Sequence, residues 1–355
     1  MTQPLVISVD AMGGDHGPHV VVPACAKALA ERPDIRLLIH GDQALIAPEL
    51  ARHPAVAQRA EVRHADKVIA MDEKPAQAMR RGKGSSMWNA IEAIREGGAN
   101  AAVSAGNTGA LMAISKLILR MSAHGLERPA IVASWPTLRG VTAVLDVGAN
   151  VESDAEQLVE FAIMGEAFHA AVHGGGRPTI GILNVGSEDM KGHDEVREAA
   201  RILREGGLGL NYKGFVEGDD IAKGTVDVVV TDGFTGNIAL KTAEGVARFI
   251  SALMKEALTS SVPAKAGALL ALPALKRMRQ KIDPSAINGG PLLGLNGIVV
   301  KSHGGADAKG YGNAIRIAVE LARSDYLKKV SDSLNRLTVV LEQPVAESAA
   351  METPQ

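Results

Sequence analysis

Three glycine-bearing turns carry Asp, Asn, Ser or Thr at the points where apolar runs end. Asp10-Ala11-Met12-Gly13-Gly14-Asp15 follows Leu5 to Val9, Ser104-Ala105-Gly106-Asn107-Thr108-Gly109 follows Ala101 to Val103, and Asp232-Gly233-Phe234-Thr235-Gly236-Asn237 follows Val226 to Val230. Each reads as strand, turn, helix. Glycine lets a ligand approach the backbone, and free amides at a helix N-terminus favour an anion such as phosphate. The pattern predicts an oxyanion site. A further segment, Arg80-Arg81-Gly82-Lys83-Gly84-Ser85-Ser86, sets three cations and two hydroxyls at the start of a helix over Met87 to Arg95. It reads equally as an anion site or as a solvated basic loop.

Two other polar side chains stand at similar places. Lys191 lies in the Gly-flanked turn that follows the run ending at Leu183. A lysine there neutralises phosphate or polarises a carbonyl, or is an ordinary surface residue. The amide of Asn237 suits a developing oxyanion and equally a helix cap. His16, His193 and His303 occupy glycine-bearing loops and read first as solvated. No spacing of His, Cys and carboxylates specifies a metal, and the chain has no nucleophile elbow, Walker lysine motif or full Gly-x-Gly-x-x-Gly element. The absence of a nucleophile motif points to direct transfer between two bound substrates, with the protein supplying position and electrostatics.

The elements that must hold these turns are apolar runs of strand length: Leu5–Val9, Ile35–Ile39, Ala101–Val103, Ala130–Ala133, Val141–Leu145, Thr179–Leu183, Phe215–Glu217, Val226–Val230 and Gly297–Val300. They alternate with helical patterns, which predicts a doubly wound α/β sheet, mainly parallel, with ligands at the strand C-termini. Ser153-Asp154-Ala155-Glu156 reads as a capping box for the helix that follows. From Ile238 to about Lys281 the pattern stays helical, broken at Ser260-Ser261-Val262-Pro263, and predicts a helical hairpin projecting from the sheet. Its tip is expected at Ala266 to Leu275, directly before Lys276-Arg277-Met278-Arg279-Gln280-Lys281. Leu269, Leu270, Leu272 and Leu275 with Lys276 and Arg277 suit shallow insertion among anionic headgroups, or a subunit interface. The organisation expected is one α/β domain over 1–340, with 238–283 as the projection and 341–355 as a disordered tail.

Composition narrows the function classes. The chain has 355 residues, 46% hydrophobic and 3% aromatic, so its core is built on Ala, Val, Leu and Ile. A formal net charge of −2 gives no general attraction to nucleic acid, and any anion-binding patch must be local. The single cysteine, Cys25, excludes an internal disulfide and reads as a small buried residue. No basic and apolar leader opens the chain, and no uninterrupted apolar run approaches the roughly 18 residues that span a bilayer. A cytoplasmic protein is expected.

Taken together, these motifs resemble the bacterial phosphate acyltransferases, which make acyl phosphate from acyl carrier protein thioesters and inorganic phosphate on the way to phosphatidic acid. The likeness runs from Asp10 to about Leu327. It includes the three turns above, Arg128-Pro129-Ala130, Asp146-Val147-Gly148-Ala149-Asn150, Asn184-Val185-Gly186 and Lys301-Ser302-His303-Gly304. The resemblance implies a Rossmann-like three-layer α/β/α fold, a homodimer, and a projection that touches the inner face of the cell membrane, where a glycerol-phosphate acyltransferase would take the product. It implies Lys191 and Asn237 as the essential pair. It implies Asp10, Gly13, Gly14, Asp15, Ser85, Ser104, Gly106, Asn107, Thr108, Asp232 and His303 as substrate- or phosphate-binding residues, with no metal or organic cofactor. Other classes stay open. One is a metal-dependent hydroxyacid dehydrogenase, for which Asp146, Asp227 and Asp232 are the candidate carboxylates. A coenzyme A-linked phosphate acyltransferase and a non-catalytic carrier-protein scaffold are the others.

Overall fold

Aliphatic runs of four to eight residues form most of one eleven-stranded sheet. A computed structural model describes residues 4–122, 126–174, 176–281 and 283–341. The strands are β1 (Leu5–Asp10), β2 (Ile35–Gly41), β3 (Ala60–His64), β4 (Ala101–Ser104), β5 (Ala130–Thr137) and β6 (Gly140–Leu145), then β7 (Thr179–Leu183), β8 (Asn211–Val216), β9 (Val228–Val230), β10 (Gly290–Leu293) and β11 (Ile298–Lys301). Their order across the sheet is β3-β2-β1-β4-β11-β10-β5-β6-β9-β7-β8.

Alternate residues of a strand face opposite sides, and here both sides are buried. Leu145, Val230 and Val300 join one apolar cluster with Phe161, Phe168 and Tyr311, while Val144, Val229 and Val299 join another with Met87, Trp88 and Ile114. The sheet is therefore the middle of three layers. Helices on both faces explain why the inner strands read as unbroken aliphatic runs rather than as alternating patterns.

Strand direction refines the expected parallel sheet. β3, β2, β1, β4 and β11 run together, and β6, β9, β7 and β8 run together. Between them β11, β10, β5 and β6 pair antiparallel in succession, so the second block points against the first. The loops that follow the two blocks leave opposite edges of the sheet.

Several expected boundaries move. β3 and β10 carry no aliphatic run: Ala-Glu-Val-Arg-His lies at a sheet edge and is partly solvated, and Gly-Pro-Leu-Leu contributes only a short central strand. β8, the other edge, spans Asn211–Val216 instead of Phe215–Glu217, and β9 starts two residues after Val226. The capping box is Asp154 with Gln157 rather than Ser153 with Glu156. Asp154 accepts from the Gln157 amide at 2.8 Å, and the Gln157 side chain returns the bond at 3.2 Å.

The projection consists of an outgoing helix, Gly233–Thr259, and a return helix, Val262–Lys281, bent by 118° at the break. The turn falls at Ser260-Ser261, because the Ser261 hydroxyl accepts the Ala264 amide and starts a new helix. The run Ala266 to Leu275 consequently lies along the return helix and not at the tip. Leu269, Leu270 and Leu272 are exposed, as are Lys276 and Arg277, but Leu275 is half-buried. No single helix among the described residues is long and apolar enough to cross a membrane. Leu341 ends the last helix, and the rest of the expected tail lies outside the described residues.

The outgoing helix starts hard against the loop after β6. A methyl group added to Gly236 would sit 1.9 Å from the carbonyl oxygen of Asp146. Gly236→Ala is expected to destabilise the fold by about 2 kcal/mol through overpacking, read as a lower urea midpoint at unchanged slope; a midpoint equal to that of the parent would refute this packing.

Candidate active site

Register gathers five polar side chains in one row across β3, β2, β1, β4 and β11. Arg63 is opposite His40, His40 opposite Asp10, and Ser104 opposite Lys301. The Ser104 hydroxyl closes the row by donating to Asp10 Oδ2 at 2.7 Å. In-register side chains share a face of the sheet. Ser86, the first residue of the helix Ser86–Arg95, also bonds the Asp10 carboxylate.

Asp10 Oδ1 accepts from the amides of Met12 and Gly13, both at 3.2 Å. A carboxylate of the protein thus occupies amides that an anion was expected to use. Burial pushes the Asp10 carboxyl above the ordinary range, opposed by these donors. Gly13 is required by crowding, since a Cβ there would lie 2.6 Å from both Asp10 Oδ2 and the Gly106 amide.

Lys301 ties the loops of this edge together. Its Nζ donates to the carbonyl of Ala105 at 3.3 Å and to that of Ser302, and it feels the charges of Asp10 and Asp15. The Asp15 amide donates to Gly304 at 3.0 Å. Burial pulls the Lys301 pKa down to about 8.

The other expected residues of this edge serve mixed ends. Asn107 caps its helix through Ala110 at 3.0 Å and donates to the carbonyls of Met71 and Glu73 at 2.8 and 2.9 Å. Ser85 is buried as the cap of its own helix, accepting from Trp88, and Gly106 donates to Ser104. Thr108 is exposed at a helix start. His303 is exposed and accepts from the Gly305 amide. Gly13, His16, Ala105, Gly304 and Tyr311 line a cavity of about 10 Å³, room for one water.

The opposite edge repeats the carboxylate device. Asp146, just past β6, accepts from the amides of Ile131, Ala149 and Asn150 at 3.0, 3.0 and 2.7 Å. Asp232, just past β9, caps the outgoing helix through Thr235. That leaves Asn237 in the helix's second turn with no capping role, exposed, and lying against Gly148. Lys191 follows β7, the neighbour of β9. Its ammonium lies 2.9 Å from Glu188 Oε2, and Asn184 holds its carbonyl at 3.0 Å. The bond from Lys191 holds the Glu188 carboxyl below the usual range.

Lys191, Asn237 and Asp232 therefore share one edge, while Asp10, Gly13, Gly14, Asp15, Ser85, Ser104, Gly106, Asn107, Thr108 and His303 share the other. A single chain does not bring the two sets to the same edge. Lys301 and Ser86 stood inside quoted motifs without a role of their own, and His40 stood in none; register and the Asp10 contacts bring all three in. The three carboxylates considered for a divalent cation do not converge. Asp227 precedes β9, where Thr179 binds it through two donors at 2.7 Å, whereas Asp232 follows β9.

The family described as fatty acid synthesis protein matches residues 5–329. A phosphate acyltransferase of Caulobacter vibrioides is 71% identical over 338 residues, covering 95% of this chain and 94% of its own length. One of Phenylobacterium zucineum is 63% identical over 350 residues, covering 99% of each. The chain belongs to the phosphate acyltransferase family. The chain is an acyltransferase of a family described by fatty acid synthesis. A solved phosphotransacetylase from Streptococcus pyogenes aligns with a TM-score of 0.63 at 17% identity, covering 91% of this chain and 95% of its own. A branched-chain phosphotransacylase from Enterococcus faecalis V583 aligns at 0.53 and 12%, covering 89% and 98%. These two likenesses show the Rossmann-like α/β/α fold.

The buried row gives the enzyme a pH signature. Among the described residues His40 has no partner at either ring nitrogen, and burial pulls its pKa from 6.5 to about 4. The unfolded chain binds a proton between those values and the folded chain does not, so stability falls as pH drops through that window. His40→Phe is expected to abolish about 3 kcal/mol of this acid loss, read by denaturant titration at pH 7 and pH 4. Equal acid losses in parent and variant would contradict it.

Proposed function

We propose that the enzyme transfers a fatty acyl group from the thioester of an acyl carrier protein to inorganic phosphate, giving acyl phosphate for phospholipid synthesis. The observation that carries this reading is that Asn237, whose side chain makes no hydrogen bond among the described residues, and Lys191 follow the adjacent parallel strands β9 and β7, in a chain that belongs to the phosphate acyltransferase family. A phosphate oxygen attacks the thioester carbonyl, forming the new C–O bond and a tetrahedral oxyanion. The Asn237 N–H donates to that oxyanion, and Lys191, released from Glu188, balances the phosphate charge. The C–S bond then breaks and the carrier's thiolate leaves. Position and fixed dipoles supply the catalysis, as expected where charge develops on one oxygen.

The test follows release of free carrier thiol from a long-chain acyl carrier protein, with and without phosphate, in the presence of a chelator and with hydroxylamine trapping of product. Phosphate-dependent release matched by trapped acyl phosphate is expected. Thioester that persists under both conditions would overturn the proposed reaction and leave the scaffold and the coenzyme A-linked acyltransferase, which the same assay on an acyl coenzyme A separates. Asn237→Ala should lower the rate on the order of 100- to 1000-fold at unchanged stability; near-normal turnover would remove Asn237 from the mechanism.

The same reading includes a homodimer that docks peripherally on the inner face of the cell membrane and hands acyl phosphate to a glycerol-phosphate acyltransferase there. Two exposed apolar surfaces on the projection support it. Val246, Phe249, Ile250 and Leu253 recur at helical spacing along one face of the outgoing helix, which suits a second copy. Leu269 and Leu270, 71% and 85% exposed on the return helix, precede Lys276 and Arg277 and suit anionic lipid. Leu269→Glu with Leu272→Glu should abolish flotation with anionic vesicles and leave the dimer intact. Loss of the dimer with unchanged flotation would exchange the two assignments.

A further inference from the structure

Lys191 stands in a loop whose backbone is held by side chains at three successive residues. Arg197 Nη1 donates to the carbonyls of Met190 and Gly192, at 3.4 and 2.9 Å, and the Asn184 amide donates to the carbonyl of Lys191 at 3.0 Å. The two donors come from opposite ends of the loop. Asn184 is the first residue past β7; its Oδ1 accepts the Val185 amide at 2.9 Å, and its own backbone amide donates to Val216 of β8 at 2.8 Å. Arg197 belongs to the helix Asp194–Glu205, which buries Ala199, Ala200, Ile202 and Leu203, and its guanidinium is braced by Asp194. Each donor therefore rests on regular structure.

Two glycines make room for this arrangement. A Cβ on Gly186 would lie 2.5 Å from Lys191 Cδ and 2.9 Å from its Nζ, so the alkyl chain of the lysine runs across the bare face of Gly186. Gly192 has a φ of +92°, and a Cβ there would lie 2.9 Å from Asn184 Cγ. A side chain at either position would displace Lys191 or the amide that holds it.

The ammonium is held differently from the backbone. Its one ion-pair partner among the described residues is Glu188, and both side chains are exposed, so this pair exchanges readily for another anion. The carbonyls of Met190 and Lys191 also belong to exposed residues, and solvent would satisfy them nearly as well as a side chain does. What Asn184 and Arg197 add is direction: with the carbonyls on both sides of Lys191 fixed, its Cα–Cβ bond points one way while its charge stays available.

We propose that Asn184 and Arg197 are positioning residues for Lys191, clamping its backbone so that the ammonium reaches the reacting phosphate, an inference that rests on the role given to Lys191 above. Neither residue acts on the substrate itself; both act through the lysine. A misplacement of about 1 Å in a catalytic group costs on the order of 100-fold in rate. Loosening one of two clamps should therefore lower turnover by less than loss of the lysine does.

The experiment measures phosphate-dependent turnover of an acyl carrier protein thioester for the parent, Lys191→Ala, Arg197→Ala, Arg197→Lys and Asn184→Asp, and for Lys191→Ala combined with each change at 184 and 197. Asn184→Asp keeps the acceptor for Val185 and removes the donor to Lys191. Arg197→Ala and Asn184→Asp should each lower kcat about tenfold at an unchanged urea midpoint, as loss of one fixed donor predicts. Arg197→Lys, which restores a cationic donor, should recover part of the Arg197→Ala loss. In the Lys191→Ala background each change should alter the residual rate less than twofold, because no ammonium is left to place. Equal losses in both backgrounds would overturn the proposal in favour of ordinary loop stability, and parent-like kcat in Arg197→Ala and Asn184→Asp would overturn it outright. Amide hydrogen exchange, made without turnover, reads the clamp separately: exchange over 185–193 should quicken about tenfold in Arg197→Ala with the strands unchanged, and equal exchange would refute the clamp. A parent that leaves the thioester intact refutes the proposed function alone, and the exchange rates still decide whether the loop is clamped.

Discussion

Buried carboxylates at strand ends determine the shape of both functional edges. Asp10 and Asp146, both buried, each accept backbone amides from the glycine-bearing turn that follows them, and the half-buried Asp232 caps the outgoing helix through the Thr235 amide. A tight turn exposes several donors in the same direction, and leaving them unpaired in a buried setting costs more than a single hydrogen bond gains. The carboxylate meets those donors internally. Glycine is needed nearby because the acid group and the neighbouring loop fill the space a side chain would take, as at Gly13. A motif that looks like an empty anion cradle is here a cradle already filled.

Filling the turns in this way keeps them rigid, and the sheet then decides what they can meet. The antiparallel passage through β10 and β5 reverses the second block against the first. The edge with Asp10 and Lys301 is densely bonded, with a cavity that has room for about one water. The edge with Lys191 and Asn237 carries exposed polar side chains.

Much of this was legible in the sequence. Aliphatic runs between helical patterns gave β1, β2, β4, β6, β7 and β11 to within two residues at either end, because strands covered on both faces need no alternation. The break at Ser260-Ser261 was legible because small polar residues end one helix and cap the next. Edge strands were not: β3 is partly solvated and built on Glu, Arg and His, so it carries no run to detect. Register was invisible as well. The meeting of Arg63, His40, Asp10, Ser104 and Lys301 depends on how five separate strands slide against one another, which the periodicity of any one strand does not encode. Asn237 was ambiguous for a local reason, since a cap and an oxyanion donor share the same residue type. Only the bond from Thr235 to Asp232 assigns the capping role elsewhere.

The order in which the chain visits the sheet has a consequence for its synthesis. β4 pairs with β1 on one side and with β11 on the other, and β11 is the last strand made. A chain emerging from the ribosome forms β1 to β4 early, builds the whole second block, sends out the projection and only then returns to complete the first. Through that interval the Ala101–Ser104 edge stands open, with its hydrogen-bonding groups unmatched and Asp10 without the cation that Lys301 will bring. Open strand edges are sites of intermolecular pairing. The nascent enzyme is therefore most exposed to aggregation while its last third is still being translated, and it needs shelter longest at the half of the sheet that was made first.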